Sequence, residues 1–276
     1  AQDKKYLPTG HDIDKMEIVK RRQEYITKEV GTLGGGNHFI ELQKDETGTL
    51  WIMIHSGSRN LGKLVGDYYN EKAKKLNERW YSVVSPDIRL SFLPLRTDEF
   101  NAYWQEMKYC VDFALCNRKL MMKRIEEVIK DAIPEIGFEP MINIAHNYAA
   151  WERHYGQDVI VHRKGATLAR EGVIGIIPGS QGTASYIVEG LGNPESFCSC
   201  SHGAGRTLSR TAAIRDLNLK EEVERLDALG IIHAIRNQND MQEASGEYKD
   251  IETVIANEAD LVKVKTRLLP VAVIKG

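Results

Sequence analysis

From residue 140 onward, the chain consists of short apolar runs separated by clusters of glycine and polar residues. The runs include DVIVH at 158–162, VIGII at 173–177 and YIVEG at 186–190. Short apolar runs that are followed by glycine and polar residues are typical of β-strands that lead into loops. This half of the chain is therefore expected to form small sheets, with the chemically active residues in the loops at the strand ends.

The first 140 residues show longer helical patterns. Leu61–Trp80 predicts a helix, and residues 97–131 predict a second long helix or a pair of helices. One face of the first helix is predicted to hold Leu64, Tyr68, Lys72 and Leu76. Helices in one half and short strands in the other indicate a mixed α/β (α+β) fold. The simplest organisation is a single domain over residues 1–276.

Five further segments complete the predicted elements. LWIMIH at Leu50–His55 predicts a buried strand that follows a turn at Glu46–Thr49, and Ser82–Leu95 predicts a loop. Near the C-terminus, the amphipathic patterns at Leu219–Leu229 and Asp250–Asn257 predict two helices, and the terminal LLPVAVIKG predicts a strand.

Composition and charge exclude several classes of protein. There are 37 Lys and Arg against 39 Asp and Glu, so the chain lacks the strongly basic signature of many nucleic-acid binders, although a local basic pocket stays open. No run of 18 apolar residues occurs, which argues against a membrane span. The four cysteines form no CxxC pair, and the first residues resemble no signal peptide. We therefore predict a reduced, cytoplasmic protein.

Four histidines stand where an apolar run meets a glycine, serine or asparagine cluster. They are His38, His55, His146 and His202. Imidazole is the commonest transition-metal ligand, and several histidines would suit Mn, Zn or Fe. Each one alone is more often a hydrogen-bonded structural residue. The recurrence of one setting favours a shared site, although the spacing does not prove it.

Glycine clusters supply a second signal. GGGNH, PGSQG and HGAGR can each bring backbone N–H groups close to an anion. None of them matches the P-loop or GxGxxG. The positive charges that could face a phosphate are Lys164, Arg206, Arg210 and Lys275, although solvation at the surface is the usual role of such residues.

His202 is a candidate nucleophile. Glycine and alanine follow it, so the imidazole is sterically open, and a neutral imidazole can attack phosphorus. Cys198 and Cys200 lie close by in a CxC arrangement that suits strand alternation, which favours a structural role for both thiols.

Taken together, these motifs resemble the RtcB RNA ligases. The matching segments run in order along nearly the whole chain, and their number makes the resemblance specific. They are GTLGGGNHFIEL (31–42), IHSGSRNLG (54–62), AHNY (145–148), RKGA (163–166), IIPGSQGTAS (176–185), SFCSCSHGAGRTLSR (196–210), YKDI (248–251) and VIKG (273–276).

The resemblance implies an RtcB-like catalytic domain that joins RNA 2′,3′-cyclic phosphate or 3′-phosphate ends to 5′-hydroxyl ends, in tRNA splicing or RNA repair. His202 would attack the α-phosphate of GTP and pass the guanylyl group to the RNA 3′ end. His38, His55 and His146 would be ligands for two Mn(II) ions. An archease-type activator is a further implied partner. The implied GTP pocket comprises Asn37, His38, Phe39, Ile40, Glu41, His146, Asn147, Pro178, Gly179, Ser180, Gln181, Ser185, His202, Gly203, Ala204, Gly205 and Lys275.

One motif of the family does not occur in this chain. The family's remaining metal ligands are an aspartate and a cysteine in an Asp-x-x-Cys-Gly motif upstream of GNHF, and this sequence contains no such motif. We therefore expect either a chain that lacks the N-terminal portion of the family or a shortened relative with an incomplete metal site. Two alternatives to a ligase stay open, a non-catalytic nucleotide- or RNA-binding relative and a metal-dependent phosphoesterase. The presence of His202 argues against the phosphoesterase, because hydrolysis needs no nucleophilic histidine beside a metal-bound water.

Overall fold

The computed structural model describes residues 2–82, 84, 85, 88 and 90–276. The helices in these residues are α1 (Glu17–Arg21), α2 (Gln23–Glu29), α3 (Leu61–Arg79), α4 (Asp98–Ala132), α5 (Arg210–Asp216), α6 (Leu219–Ala228) and α7 (Ile251–Ala256). The strands are β1 (Phe39–Lys44), β2 (Leu50–His55), β3 (Asn147–His154), β4 (Gln157–Lys164), β5 (Ala166–Leu168), β6 (Ile174–Ile177), β7 (Ser185–Gly190), β8 (Ser199–Ser201) and β9 (Val262–Lys275). The predicted mixed α/β class is confirmed.

The chain divides into two compact units. The first contains the residues up to Thr32 and Ser56–Gly137, and the second contains Leu33–His55 and Phe138–Gly276. The prediction of one domain over residues 1–276 stays a prediction. In the described residues, no helix is long and apolar enough to cross a membrane.

The first unit is helical, and α3 packs against α4. Leu64 and Tyr68 of the predicted face are partly buried and pack against the core. The fully buried face of α3 lies one position further and holds Leu61, Val65, Tyr69, Ala73 and Asn77. Hydrogen bonds of two polar side chains explain why this face of the helix is the buried one. The Tyr69 hydroxyl donates to Glu106 on α4 at 2.9 Å, and the Asn77 side chain exchanges two hydrogen bonds with the backbone of Phe92. Buried polar partners therefore fix the rotation of the helix.

The second long helical pattern is a single helix, α4, of 35 residues. Thr97 caps it by accepting a hydrogen bond from the Phe100 N–H at 3.2 Å. The predicted loop Ser82–Leu95 lies between α3 and α4 without regular structure where it is described, and positions 83, 86, 87 and 89 of that loop lie outside the described residues.

The second unit is built on an antiparallel five-stranded sheet with the order β2-β1-β9-β7-β6. Leu50–His55 forms the predicted strand, but as an edge strand it is only partly covered, and the Leu50 side chain is 47% exposed. The predicted terminal strand is confirmed and is longer than its apolar residues suggest, because β9 pairs with both β1 and β7. Helix α5 was not predicted.

Two smaller ladders complete this unit. β3 and β4 form a hairpin through a turn at Tyr155 and Gly156, where both residues have positive φ. β5 pairs with β8 so that Ala166 lies opposite Ser201. The buried Arg163 of β4 connects the hairpin to the start of β8 and the segment before it, since its guanidinium donates to Ser199 Oγ at 3.0 Å and to the Phe197 carbonyl at 2.9 Å.

Candidate active site

The four histidines predicted from the sequence lie in a row within the second unit. The ring centroids are 6.1 Å apart between His38 and His55, 5.2 Å between His55 and His146, and 4.8 Å between His146 and His202. His38 precedes β1, His55 ends β2, His146 precedes β3 and His202 follows β8. Strand ends far apart in sequence therefore bring the four imidazoles together.

Burial favours the neutral form of two of these imidazoles, those of His55 and His202. The pKa of His55 lies well below its usual range, because the protein shields the ring from water and because His146 and His38 lie beside it. Burial also lowers the pKa of His202, and a hydrogen bond to the Gly165 backbone opposes part of that change. A neutral imidazole offers the lone pair that metal coordination and nucleophilic attack both require.

The ring nitrogens of these histidines are chemically suitable ligands for a transition metal, because imidazole nitrogen binds Mn, Fe and Zn. In the part of the chain that the structure describes, no three His, Cys, Asp or Glu side chains are already arranged to hold a metal ion. The ligand roles of His38, His55 and His146 therefore stay predictions.

Two of the glycine loops adjoin each other. The Ala204 N–H of HGAGR donates to the Pro178 carbonyl of PGSQG at 3.1 Å. Glycine is required at Gly179, since a Cβ there would lie 2.1 Å from the Ala184 carbonyl oxygen. The Gly179 N–H donates to Ser185 Oγ at 3.2 Å, at the start of β7. The predicted residues Pro178–Gln181, Ser185 and Gly203–Gly205 thus belong to one contiguous region.

The central strands place charged groups beside the histidines. Phe39 on β1 lies opposite both His55 and Lys275 in the strand registers, and Lys275 Nζ lies 4.9 Å from the centre of the Phe39 ring. Glu41 is buried on the same face of β1 as Phe39, whereas strand alternation puts the Ile40 side chain on the opposite face. Of Ile40, only the backbone can therefore contribute to this site.

A network of acids and bases adjoins the GNHF segment. The Tyr248 hydroxyl donates to Glu243 at 2.7 Å and lies 3.3 Å from Asn37 Oδ1. Arg210 Nε donates to the same Glu243 at 2.9 Å, and Arg206 contacts Glu243 and Glu247. The two arginines expected to face phosphate thus have carboxylate partners already.

Sequence reasoning missed Gln43, Glu243 and Glu247. Gln43 is fully buried, and its side-chain amide donates to Glu41 at 2.7 Å and to Ser185 at 3.1 Å. The sequence did contain a signal for it, because residues two apart on a strand share a face and Gln43 therefore lies on the face of Glu41. The two acids lie in short 3₁₀ segments whose sequence has no periodicity to reveal their burial. Among the other predicted residues, Asn147 and Lys164 face each other, both exposed, across the open end of the hairpin.

Burial of Glu41 predicts a pH dependence of stability. Its side chain is 4% exposed, and burial raises its pKa from 4.5 to about 7. Between these values the folded protein retains a proton that the unfolded chain has released, so the free energy of unfolding falls as the pH rises. One retained proton contributes a slope of about 1.4 kcal/mol per pH unit. We expect Glu41→Gln to remove this contribution in urea unfolding measured between pH 4.5 and 7.

The control is Glu46→Gln in the turn after β1, where the carboxylate is exposed. It should leave the slope unchanged. An unchanged slope in Glu41→Gln would show that Glu41 is ionised throughout this range.

The fold and the site define a class of mixed α/β protein in which strand ends hold a histidine cluster beside glycine-rich loops. The sequence model of the family described as "tRNA-splicing ligase RtcB" matches residues 5–276. The chain belongs to the RtcB family, as its motifs indicated.

Curated proteins similar to this chain carry the same family name. The "RNA-splicing ligase RtcB" of Escherichia coli K12 is 40% identical over 255 residues, which cover 90% of this chain and 62% of that protein. The "tRNA-splicing ligase RtcB" of Nanoarchaeum equitans is 35% identical over 291 residues, covering 90% of this chain and 60% of that protein. The chain thus spans about 60% of the length of these relatives.

Proposed function

We propose that this protein is an RNA ligase that joins RNA 3′-phosphate or 2′,3′-cyclic phosphate ends to 5′-hydroxyl ends, using GTP and Mn(II). The observation that carries the proposal is the row of imidazoles ending in His202, next to two adjoining glycine loops, in a member of the RtcB family. Partners of this activity are RNA ends and an archease-type activator, and the expected location is the cytoplasm.

His38, His55 and His146 would hold Mn(II), which supplies charge neutralisation and alignment of phosphate groups when bound. Burial holds the pKa of His55 well below its usual range, which favours coordination there, since an imidazole must be deprotonated to bind a metal. Three imidazoles do not complete the coordination of two metal ions, so further ligands would be needed.

The nucleotide would lie against the GNHF segment, the PGSQG and HGAGR loops and Lys275. Lys275, next to the Phe39 ring, brings a positive charge to this region, and Glu41 and Ser185 offer polar groups that Gln43 holds in place. Asn37 lies beside Tyr248 and the Glu243 network. This combination of cation, hydroxyl and carboxyl groups suits a nucleotide, which carries phosphate and a polar base.

His202 would be the nucleophile. A ring nitrogen forms a bond to the α-phosphorus of GTP while the bond from that phosphorus to the pyrophosphate oxygen breaks, and pyrophosphate leaves. The guanylyl group then passes to the RNA 3′-phosphate, and the 5′-hydroxyl attacks that activated end with release of GMP.

The test uses the protein with Mn(II), GTP labelled at the α-phosphate, and RNA with a 3′-phosphate and a 5′-hydroxyl. We expect acid-labile label on the protein in the absence of RNA, and end joining when RNA is added. Nucleotide binding without label would contradict the proposal and favour a non-catalytic binding relative. Label without joining would limit the proposal to the nucleotide step.

A further inference from the structure

Ser201 comes directly before His202, and one carboxylate holds both its backbone and its side chain. The Ser201 N–H donates to Glu258 Oε1 at 2.9 Å, and the Ser201 hydroxyl donates to Glu258 Oε2 at 3.2 Å. Two hydrogen bonds between the same two residues fix their relative direction as well as their distance. Glu258 lies 56 positions along the chain from His202, so this contact exists only in the folded protein.

β5 holds the same serine through a further group. Ala166 lies opposite Ser201 in the register of β5 and β8, and the Thr167 hydroxyl donates to the Ser201 carbonyl at 3.2 Å. The N–H, the hydroxyl and the carbonyl of Ser201 therefore all have partners. The residue before the proposed nucleophile is thus the most firmly held part of this segment.

Glu258 is itself anchored to the central sheet. Its carbonyl accepts hydrogen bonds from the N–H groups of Leu261 at 2.9 Å and Val262 at 3.0 Å, in the turn between α7 and β9. Val262 begins β9 and is buried, and β9 pairs with both β1 and β7. The carboxylate therefore connects Ser201 to the strand at the centre of the sheet.

The chain on the other side of His202 is less restricted. Gly203 follows it directly, and glycine restricts the backbone less than any other residue. The direction in which the imidazole leaves β8 is therefore set mainly by the residue that precedes it, Ser201.

We propose that Glu258 is a positioning residue for His202: by holding Ser201 at its N–H and its hydroxyl, it sets the place from which the imidazole attacks the α-phosphorus of GTP. This inference rests on the proposed function. Glu258 makes and breaks no covalent bond in that step. Loss of its two hydrogen bonds should therefore lower the rate of covalent labelling at saturating GTP and leave the affinity for GTP unchanged.

Three variants test the role of the carboxylate. Glu258→Met removes both hydrogen bonds, and we expect it to lower the labelling rate about 100-fold, because small misplacements of reacting groups have effects of this size. Glu258→Gln should label near the parent rate, since its amide oxygen can accept from the Ser201 N–H and its amide nitrogen can donate to the Ser201 hydroxyl. The matched control is Glu252→Met on α7, because that side chain is 56% exposed and pairs with Arg267. It should label at the parent rate.

Hydrogen exchange measures the hold on Ser201 without any reaction. In the protein free of metal and GTP, we expect the Ser201 amide to exchange slowly in the parent and in Glu258→Gln, and at least about tenfold faster in Glu258→Met. Ser201→Ala keeps the backbone hydrogen bond and loses only that of the hydroxyl, so we expect a smaller loss of labelling, about tenfold. This variant decides the matter if Glu258→Met does not fold.

Any of four results would overturn the inference. They are a parent rate of labelling in Glu258→Met or, where that variant does not fold, in Ser201→Ala, an equal loss in Glu252→Met, a loss in Glu258→Met that a weaker affinity for GTP explains, and rapid exchange of the Ser201 amide in the parent. A parent protein that takes no label would count against the proposed function, whereas the exchange data would still show whether Glu258 holds Ser201.

Discussion

His202→Ala should abolish covalent labelling by GTP, and with it end joining, while the protein stays folded. The imidazole is the group that would bond to phosphorus, so its removal takes away the proposed attachment point. Removing a nucleophile typically lowers the rate by a factor of about 10⁴ or more. His202 is partly exposed, so its truncation should have only a small effect on the free energy of unfolding.

The matched control is His162→Ala. His162 is an exposed histidine of β4 that takes no part in the row of imidazoles. We expect label and joining at the parent rates in this variant, measured with the same GTP and RNA. If His202→Ala kept half or more of the parent label, the covalent group would have to lie on another residue.

The second large effect is on stability. Arg163→Met should lower the free energy of unfolding by about 3 kcal/mol, because it leaves the Glu152 carboxylate buried without its main partner. The side chains of Arg163 and Glu152 are 1% and 3% exposed. Although burial alone would raise the pKa of Glu152, the hydrogen bonds from Arg163 and His154 hold it at about 2.

Arg153→Met is the control, because Arg153 lies in the same hairpin and pairs with Asp158, but both side chains are largely exposed. Exposed pairs contribute about 0–1 kcal/mol. The double variant Glu152→Gln/Arg163→Met should recover part of the loss, since no buried charge is left without a partner. Urea unfolding measures all three variants. Equal losses for Arg163→Met and Arg153→Met would show that the buried pair has no special role.

Arg163 also affects the site. Its hydrogen bonds reach Phe197 and Ser199, and Phe197 and Cys198 both have positive φ in the segment that leads into β8 and His202. The guanidinium therefore stabilises a strained segment whose end carries the proposed nucleophile. The sequence presents Arg163 only as part of an RKGA motif, with no indication that it is buried.

The sequence determined the mixed α/β class, the bounds of Leu50–His55 and the helical nature of residues 97–131, because local periodicity specifies elements of this kind. It also identified the family, because long motifs in a fixed order along the chain are specific. The placement of histidines at the junctions of apolar runs and polar loops correctly indicated a shared location.

Only the tertiary structure decided which face of α3 is buried, how Gln43 and Glu243 support the candidate pocket, and that Gly165 lies beside the His202 ring. Each of these depends on partners far away in the sequence. Buried hydrogen bonds choose between neighbouring helix faces, and strand register sets which residues meet across a ladder. Neither can be calculated from the spacing of residues along one segment, because both are properties of two segments in contact.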